Sequence, residues 1–293
     1  MRPLAFLTLA LAACQPQADR VERPSPPGPA AGPSKLIPIP AGWFWMGCGP
    51  EQRASCEDEE WPGRMVYLQA FSIERAEVSV AQYAACVAAG ACSARGLSLP
   101  RHFAEDRADV MDQCNWAQPG REMHPVNCIS WPQARSYCRF LSRRLPSEAE
   151  WERAARGIDG RLFPWGAEPA TRDPACARAN LGDRQLLRAG FERHEPSCDD
   201  GHVMTAPVGS FPRGASPCGA LDMAGNVWEW VEDFYGPYEI AGFVQPAGPA
   251  AGEYRTCRGG SWVSLSSGLR ACNRTGNLPD ERDGALGFRC AGY

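Results

Sequence analysis

Gly225-Asn226-Val227-Trp228-Glu229-Trp230 decides how this chain is read, together with Arg258-Gly259-Gly260-Ser261-Trp262 and Gly287-Phe288-Arg289-Cys290 further on. Glycines set against tryptophans mark tight turns packed under large aromatic plates, where a residue without Cβ fits. Two upstream segments share the pattern. Arg144-Leu145-Pro146-Ser147-Glu148-Ala149-Glu150-Trp151-Glu152 carries a capping box, and Phe163-Pro164-Trp165-Gly166 is an aromatic turn.

In this order the motifs resemble the formylglycine-generating enzyme family, the sulfatase-modifying-factor domain, from Ile37 to Cys290. The resemblance implies a loop-rich α+β fold similar to C-type lectins, with little regular secondary structure. It implies a few helices packed on short twisted antiparallel strands. It also implies a disulfide between Cys138 and Cys290, while a second family disulfide falls on Ala155 and Ala271 and is missing at both ends.

Two calcium sites follow from the resemblance. One takes Asp222, Gly225, Val227 and Glu229, and the other Asn180, Leu181, Asp200 and His202, with His202 giving its carbonyl. Both offer hard oxygens on bent loops, the donors calcium requires. The family's oxidases carry two cysteines after the Gly-Gly-Ser motif, whose thiolates hold copper(I). Here those positions fall on Ser264 and near Ser266 or Leu269, so copper is not expected. Cys272 lies outside the pair's spacing and offers at most one ligand. Trp228, Ser261, Ser264, Arg274 and Asn277 are the groove candidates, with Arg289 part of the retained scaffold. Iron-dependent relatives use a histidine set, and His102, His124, His194 and His202 lack that spacing.

The whole chain agrees with an extracytoplasmic domain. Hydrophobic content of 44% and charged content of 22% are those of a globular protein. A net charge of -4 argues against nucleic acid as a partner. Fourteen cysteines without paired metal knuckles point to disulfides in an oxidising compartment. Local pairs suggest themselves: Cys48 with Cys56, Cys86 with Cys92, Cys114 with Cys128, and Cys176 with Cys198. Cys218, Cys257 and Cys272 are left over, and spacing alone does not fix the connectivity.

Residues 1–13 combine Arg2, a short apolar run and Leu11-Ala12-Ala13 ahead of Cys14, a lipobox-like signal too short to span a bilayer. Cleavage before Cys14 would leave a lipidated cysteine, and Gln15 favours the outer membrane of a Gram-negative cell envelope. Residues 14–35, rich in proline, read as a tether, and 36–293 as one domain.

Within the domain, alternate prolines at Leu36-Ile37-Pro38-Ile39-Pro40 fit an edge strand. Met65 to Ile73 alternates as a single strand. Ser79-Val80-Ala81-Gln82 opens a helix that Gly90 ends, Ser130 caps another, and Ser147 to Glu150 opens a third. After Gly157 only loops and short strands are expected.

The expectation is a lipid-anchored, calcium-stabilised binding or assembly module in the cell envelope. It holds a peptide, protein or glycan-like ligand and lacks oxidase chemistry. The alternative is a formylglycine-generating or related cysteine-modifying oxidase that uses Cys272.

Overall fold

The capping patterns place the helices. The computed structural model describes residues 32–98, 113–166, 175–190, 198–238 and 243–293. The signal at 1–13, Cys14, His102 and His194 lie outside them. Helices α1 (Val80–Ala88) and α3 (Glu148–Arg156) each begin with a reciprocal capping box, Ser79 with Gln82 and Ser147 with Glu150. At α2 (Trp131–Phe140) the Gln133 carboxamide oxygen accepts from both the backbone N–H and the hydroxyl of Ser130. These bonds satisfy amide groups that the first helical turn leaves without partners.

The strands form three sheets. β1 (Leu36–Ile39), β4 (Phe71–Glu74) and β9 (Ala291–Gly292) run in the order β1-β4-β9, so proline-bearing β1 is an edge. β2 (Gly42–Met46) and β3 (Arg64–Leu68) form a two-stranded ribbon. β5 (Trp228–Phe234), β6 (Arg255–Arg258), β7 (Arg274–Asn277) and β8 (Leu286–Phe288) form a sheet in the order β7-β6-β5-β8.

Two local expectations need correction. The single strand over Met65 to Ile73 is two strands, because β3 pairs with β2 and β4 with β1. The alternation slips between them: Val66 and Leu68 face the core, and then Phe71 and Ile73 do. The region after Gly157 also holds a five-residue helix α4 (Arg184–Arg188), whose first turn is capped by the Asp183 carboxylate.

The β5–β8 sheet has a core on each face. Trp230, Cys257, Leu286 and Phe288 pack against Tyr83, Trp131, Ala134 and Tyr137 of α1 and α2. On the other face Val231 joins Trp151, Ala154 and Ala155 of α3 with Phe44, Val66 and Leu68 of the ribbon. Ala155 and Ala271 are both fully buried in this second core, so two methyl groups fill the place of the missing family disulfide. The bond expected from the resemblance, Cys138–Cys290, is present. So are Cys48–Cys56, Cys86–Cys92, Cys114–Cys128 and Cys176–Cys198.

A buried carboxylate links the sheet to α3. Asp233, 8% exposed, accepts from Glu148 N at 2.7 Å and from Gly248 N at 2.6 Å. Burial first, and then the charge of Glu148, push its carboxyl from 3.8 up to about 6. The folded chain therefore holds a proton that the unfolded chain has already lost. The stability it contributes is full below the unfolded value and is lost as pH rises through about 6. Urea unfolding from pH 4 to pH 7 should show Asp233→Asn flattening this fall by roughly 2–3 kcal/mol. Parallel wild-type and variant curves would remove the assignment.

Candidate functional site

The loop before β5 is built on left-handed backbone. Asp222 has φ 54°, Gly225 φ 80° and Asn226 φ 62°. A Cβ on Gly225 would meet Asn180 O at 2.0 Å, so glycine is required where this loop crosses the 180–181 turn. Asn226 ties the crossing together. Its N–H donates to Asn180 O at 2.9 Å, its Oδ1 accepts from Ala206 N at 2.9 Å, and its Nδ2 donates to Glu77 Oε1 at 2.9 Å. Its carbonyl accepts from Trp262 N at 3.0 Å, joining the loop to the Gly-Gly-Ser turn.

At the first expected calcium loop the structure gives Glu229 to Arg289. Both carboxylate oxygens accept from the guanidinium, at 2.7 and 2.6 Å, and Trp151 Nε1 adds a bond at 2.8 Å. Asp222 Oδ2 accepts from Gly209 N. The carboxylate oxygen without a hydrogen-bond partner belongs to Glu77, which is 1% exposed. Burial and then Asp222 push Glu77 well above the usual carboxylate range. Three buried carboxylates thus surround one guanidinium, which suits a cation in charge, with Arg289 competing for Glu229. Glu77 lay between Ala76 and Val78 in a strand-like alternation and gave no signal in the sequence.

The second loop fits a hard cation more simply. Asn180 donates through Nδ2 to Met204 O at 2.7 Å, which leaves its buried Oδ1 without a partner. Asp200 accepts from Leu181 N at 2.9 Å and from His202 N at 2.8 Å, closing the two segments on each other. Burial, with Asp183 and Asp199 adding to it, raises the Asp200 carboxyl to about 7. Asn180 thus offers an amide oxygen without a partner, and Asp200, bonded to the next residue's N–H, a carboxylate short of positive charge, both hard donors of the kind calcium takes. Asp183 was not singled out from the sequence. It donates no bond itself but accepts from Asp200 N while capping α4.

The groove candidates divide between the two faces of the sheet. Trp228 packs with the α1–α2 core, and on the same side Asn277 Nδ2 contacts Cys257 Sγ at 3.6 Å. Arg274 lies on the α3 side, its guanidinium forked onto Glu148 at 2.7 and 2.8 Å. There it lines a pocket with Arg64, Glu148, Asp233 and Tyr238, apart from Trp228.

Ser261 is fully buried, and Ser264 Oγ accepts from Ser261 N at 3.0 Å, so the hydroxyl where the resemblance puts the first copper cysteine closes a turn. Gly182 N donates to Ser264 O at 2.9 Å. Ser266–Leu269 forms a short 3-10 turn. Cys272 is fully buried and donates to Glu60 Oε2 at 3.2 Å, beside the Glu60–Arg270 ion pair. Burial, and then the charge of Glu60, push that thiol far above its ordinary range, so it stays protonated. Cys218 and Cys257 are also free thiols, and the Cys257 thiol is raised as well, by burial first. His124 binds Thr205 Oγ1 at 3.0 Å and is lowered to about 4, chiefly by burial and Arg121.

Residues 24–292 match the sulfatase-modifying factor enzyme 1-like domain. The chain is 36% identical to the formylglycine-generating enzyme of Streptomyces coelicolor over 314 residues, covering 92% of this chain and 96% of that one. It is 30% identical over 289 residues to a Mus musculus protein named inactive C-alpha-formylglycine-generating enzyme 2, covering 87% and 85%. Among solved structures it is similar to PvdO from Pseudomonas aeruginosa, with a TM-score of 0.68, 26% identity, and 88% and 94% of the two chains covered.

Proposed function

The chain belongs to the sulfatase-modifying factor enzyme 1-like family, and from that premise we propose a lipid-anchored, calcium-stabilised binding or assembly module without oxidase activity. One observation supports the reading: at Ser264, where the resemblance puts the first copper cysteine of the oxidases, a hydroxyl closes a turn. A hydroxyl and backbone carbonyls are poor ligands for a soft monovalent metal. Cys272 offers one thiol, held protonated against Glu60. Relatives under the names of both active and inactive enzymes fit a scaffold that outlasts its chemistry.

The ligand on this reading is a peptide, protein or glycan-like molecule, and acylated Cys14 holds the domain at the envelope membrane. The test is turnover of a peptide carrying a Cys-x-Pro-x-Arg motif, with copper(I) and dioxygen, read by mass spectrometry. No formylglycine and no retained copper is the expected result. Formylglycine formation would replace this reading with the oxidase one and require a ligand set that includes Cys272.

Calcium supports the fold through Asn180, Leu181, Asp200 and His202, and through the Asp222, Gly225, Val227 and Glu229 loop with Glu77 beside it. A cation that binds the folded chain alone stabilises it by about 2.7 kcal/mol at a hundredfold excess over Kd. Calorimetry should therefore show a lower melting temperature after chelation, restored by calcium. Asp200→Asn should lose the part of this response that the Asn180–His202 site supplies and keep the rest. A melting temperature indifferent to chelator in the wild type would exclude bound calcium.

A further inference from the structure

We propose that the outer face of the β2–β3 ribbon is a membrane-docking surface that seats this domain on a lipid bilayer. The register opposes Trp43 to Tyr67 and Trp45 to Met65. The alternate residues Phe44, Met46, Val66 and Leu68 are buried in the core, so these four share the outward face. Trp43 is 50% exposed and Met65 42%, and the Trp43 and Tyr67 rings meet edge-on at 5.4 Å.

A third strip widens the face. Val244 pairs beside Tyr67, with Tyr67 N donating to Phe243 O at 2.6 Å and Gln245 N to Tyr67 O at 2.8 Å. Val244, the residue paired with Tyr67 and so on its face, is 62% exposed. Gln69 and Gln245, joined at 2.8 Å, give the patch a polar rim.

Lipid suits this face better than a second copy of the chain. Its exposed apolar side chains, Trp43, Met65 and Val244, are few against the roughly 20–30 residues a side that a stable dimer interface uses. A stable dimer needs about 800 Å² from each partner. Tryptophan and tyrosine are the side chains that settle at the boundary of headgroups and acyl chains. Among the described residues no helix is long and apolar enough to cross a membrane.

The course of the chain agrees. Lys35 O accepts from Arg75 N at 2.9 Å, and the backbone then enters β1 at Leu36 and reaches Trp43 about 23 Å later at strand spacing. A proline-rich tether from Cys14 to Lys35 spans up to about 65 Å. Acylated end and apolar face can therefore meet the same leaflet. The proposal rests on the lipid-anchor reading of Cys14, and its test separates the two.

The chain from residue 14 on, with Cys14→Ser so that neither an acyl group nor the apolar run of 1–13 is present, is sedimented with vesicles of phosphatidylethanolamine and phosphatidylglycerol, with and without Trp43→Ser and Val244→Ser. Docking predicts that the Cys14→Ser chain binds vesicles. The added pair should weaken partition by about tenfold or more, since two exposed apolar side chains no longer leave water. Melting temperature and monomer mass should be unchanged. Equal partition of both chains overturns the proposal, as does a dimer at micromolar concentration that the pair of substitutions dissolves, which would assign the face to a second copy. Acyl mass on the N-terminal peptide of the wild-type chain is read separately. Its absence removes the anchor and with it the biological basis for docking, whatever the vesicles show.

Discussion

Replacing Cys138 with alanine is expected to lower the unfolding free energy by about 5 kcal/mol, the largest loss from any single disulfide in this chain. The bond joins residues 152 apart in sequence, tying α2 to the end of the chain. In the chain-entropy account a cross-link removes conformations from the unfolded state, and it removes more of them as the closed loop lengthens. Cys86–Cys92 closes a separation of 6 and should be worth about 2 kcal/mol by the same rule. Calorimetry of Cys138→Ala and Cys86→Ala side by side decides the matter. The first should melt roughly 10–20 °C below wild type, at a few degrees per kcal/mol for a chain of this size, and the second should fall much less. Equal shifts would mean that local packing, rather than loop closure, sets the value of these bonds.

The framework was legible because its signals are local. Ser79 with Gln82 and Ser147 with Glu150 announce helix starts by spacing alone, and the caps form where they were expected. The short-range cysteine pairs reflect the same locality, and Cys138–Cys290 came through the family resemblance. The slip between β3 and β4 was not legible, since Met65 to Ile73 alternates plausibly as one strand. The switch of sheet depends on β1 and β2, which lie elsewhere in sequence.

The candidate site was legible in composition and less so in pairing. Glu229 stood out as an oxygen donor, yet which group claims it depends on Arg289, 60 positions away in the chain. Glu77 meets Asn226 across 149 positions, and no spacing rule reaches that far. Strand parity, which depends on the pairing of β6 with β7, places Arg274 on the α3 face with Glu148 and away from Trp228.

Arg289→Met is expected to cost about 3–5 kcal/mol, because it leaves a buried anion without its partner. The guanidinium is fully buried. It forks onto Glu229 and also donates to Leu221 O at 2.9 Å, to Asp222 O at 3.3 Å and to the carbonyls of Glu74 and Arg75 at 3.2 Å. Its charge also lowers the carboxyls of Glu77 and Asp222, which burial has raised. Removing it raises both further, so the folded variant holds protons to higher pH than the unfolded chain does. Stability in that case is lost as pH rises, and the deficit of Arg289→Met should be larger at pH 7.5 than at pH 5. Adding Glu229→Gln to the variant removes the stranded charge and should recover part of the loss. A double-mutant cycle by urea unfolding measures that coupling directly. Additive losses with no pH dependence would mean that Arg289 stabilises through its carbonyl contacts alone, and that the three carboxylates find their counter-charge elsewhere.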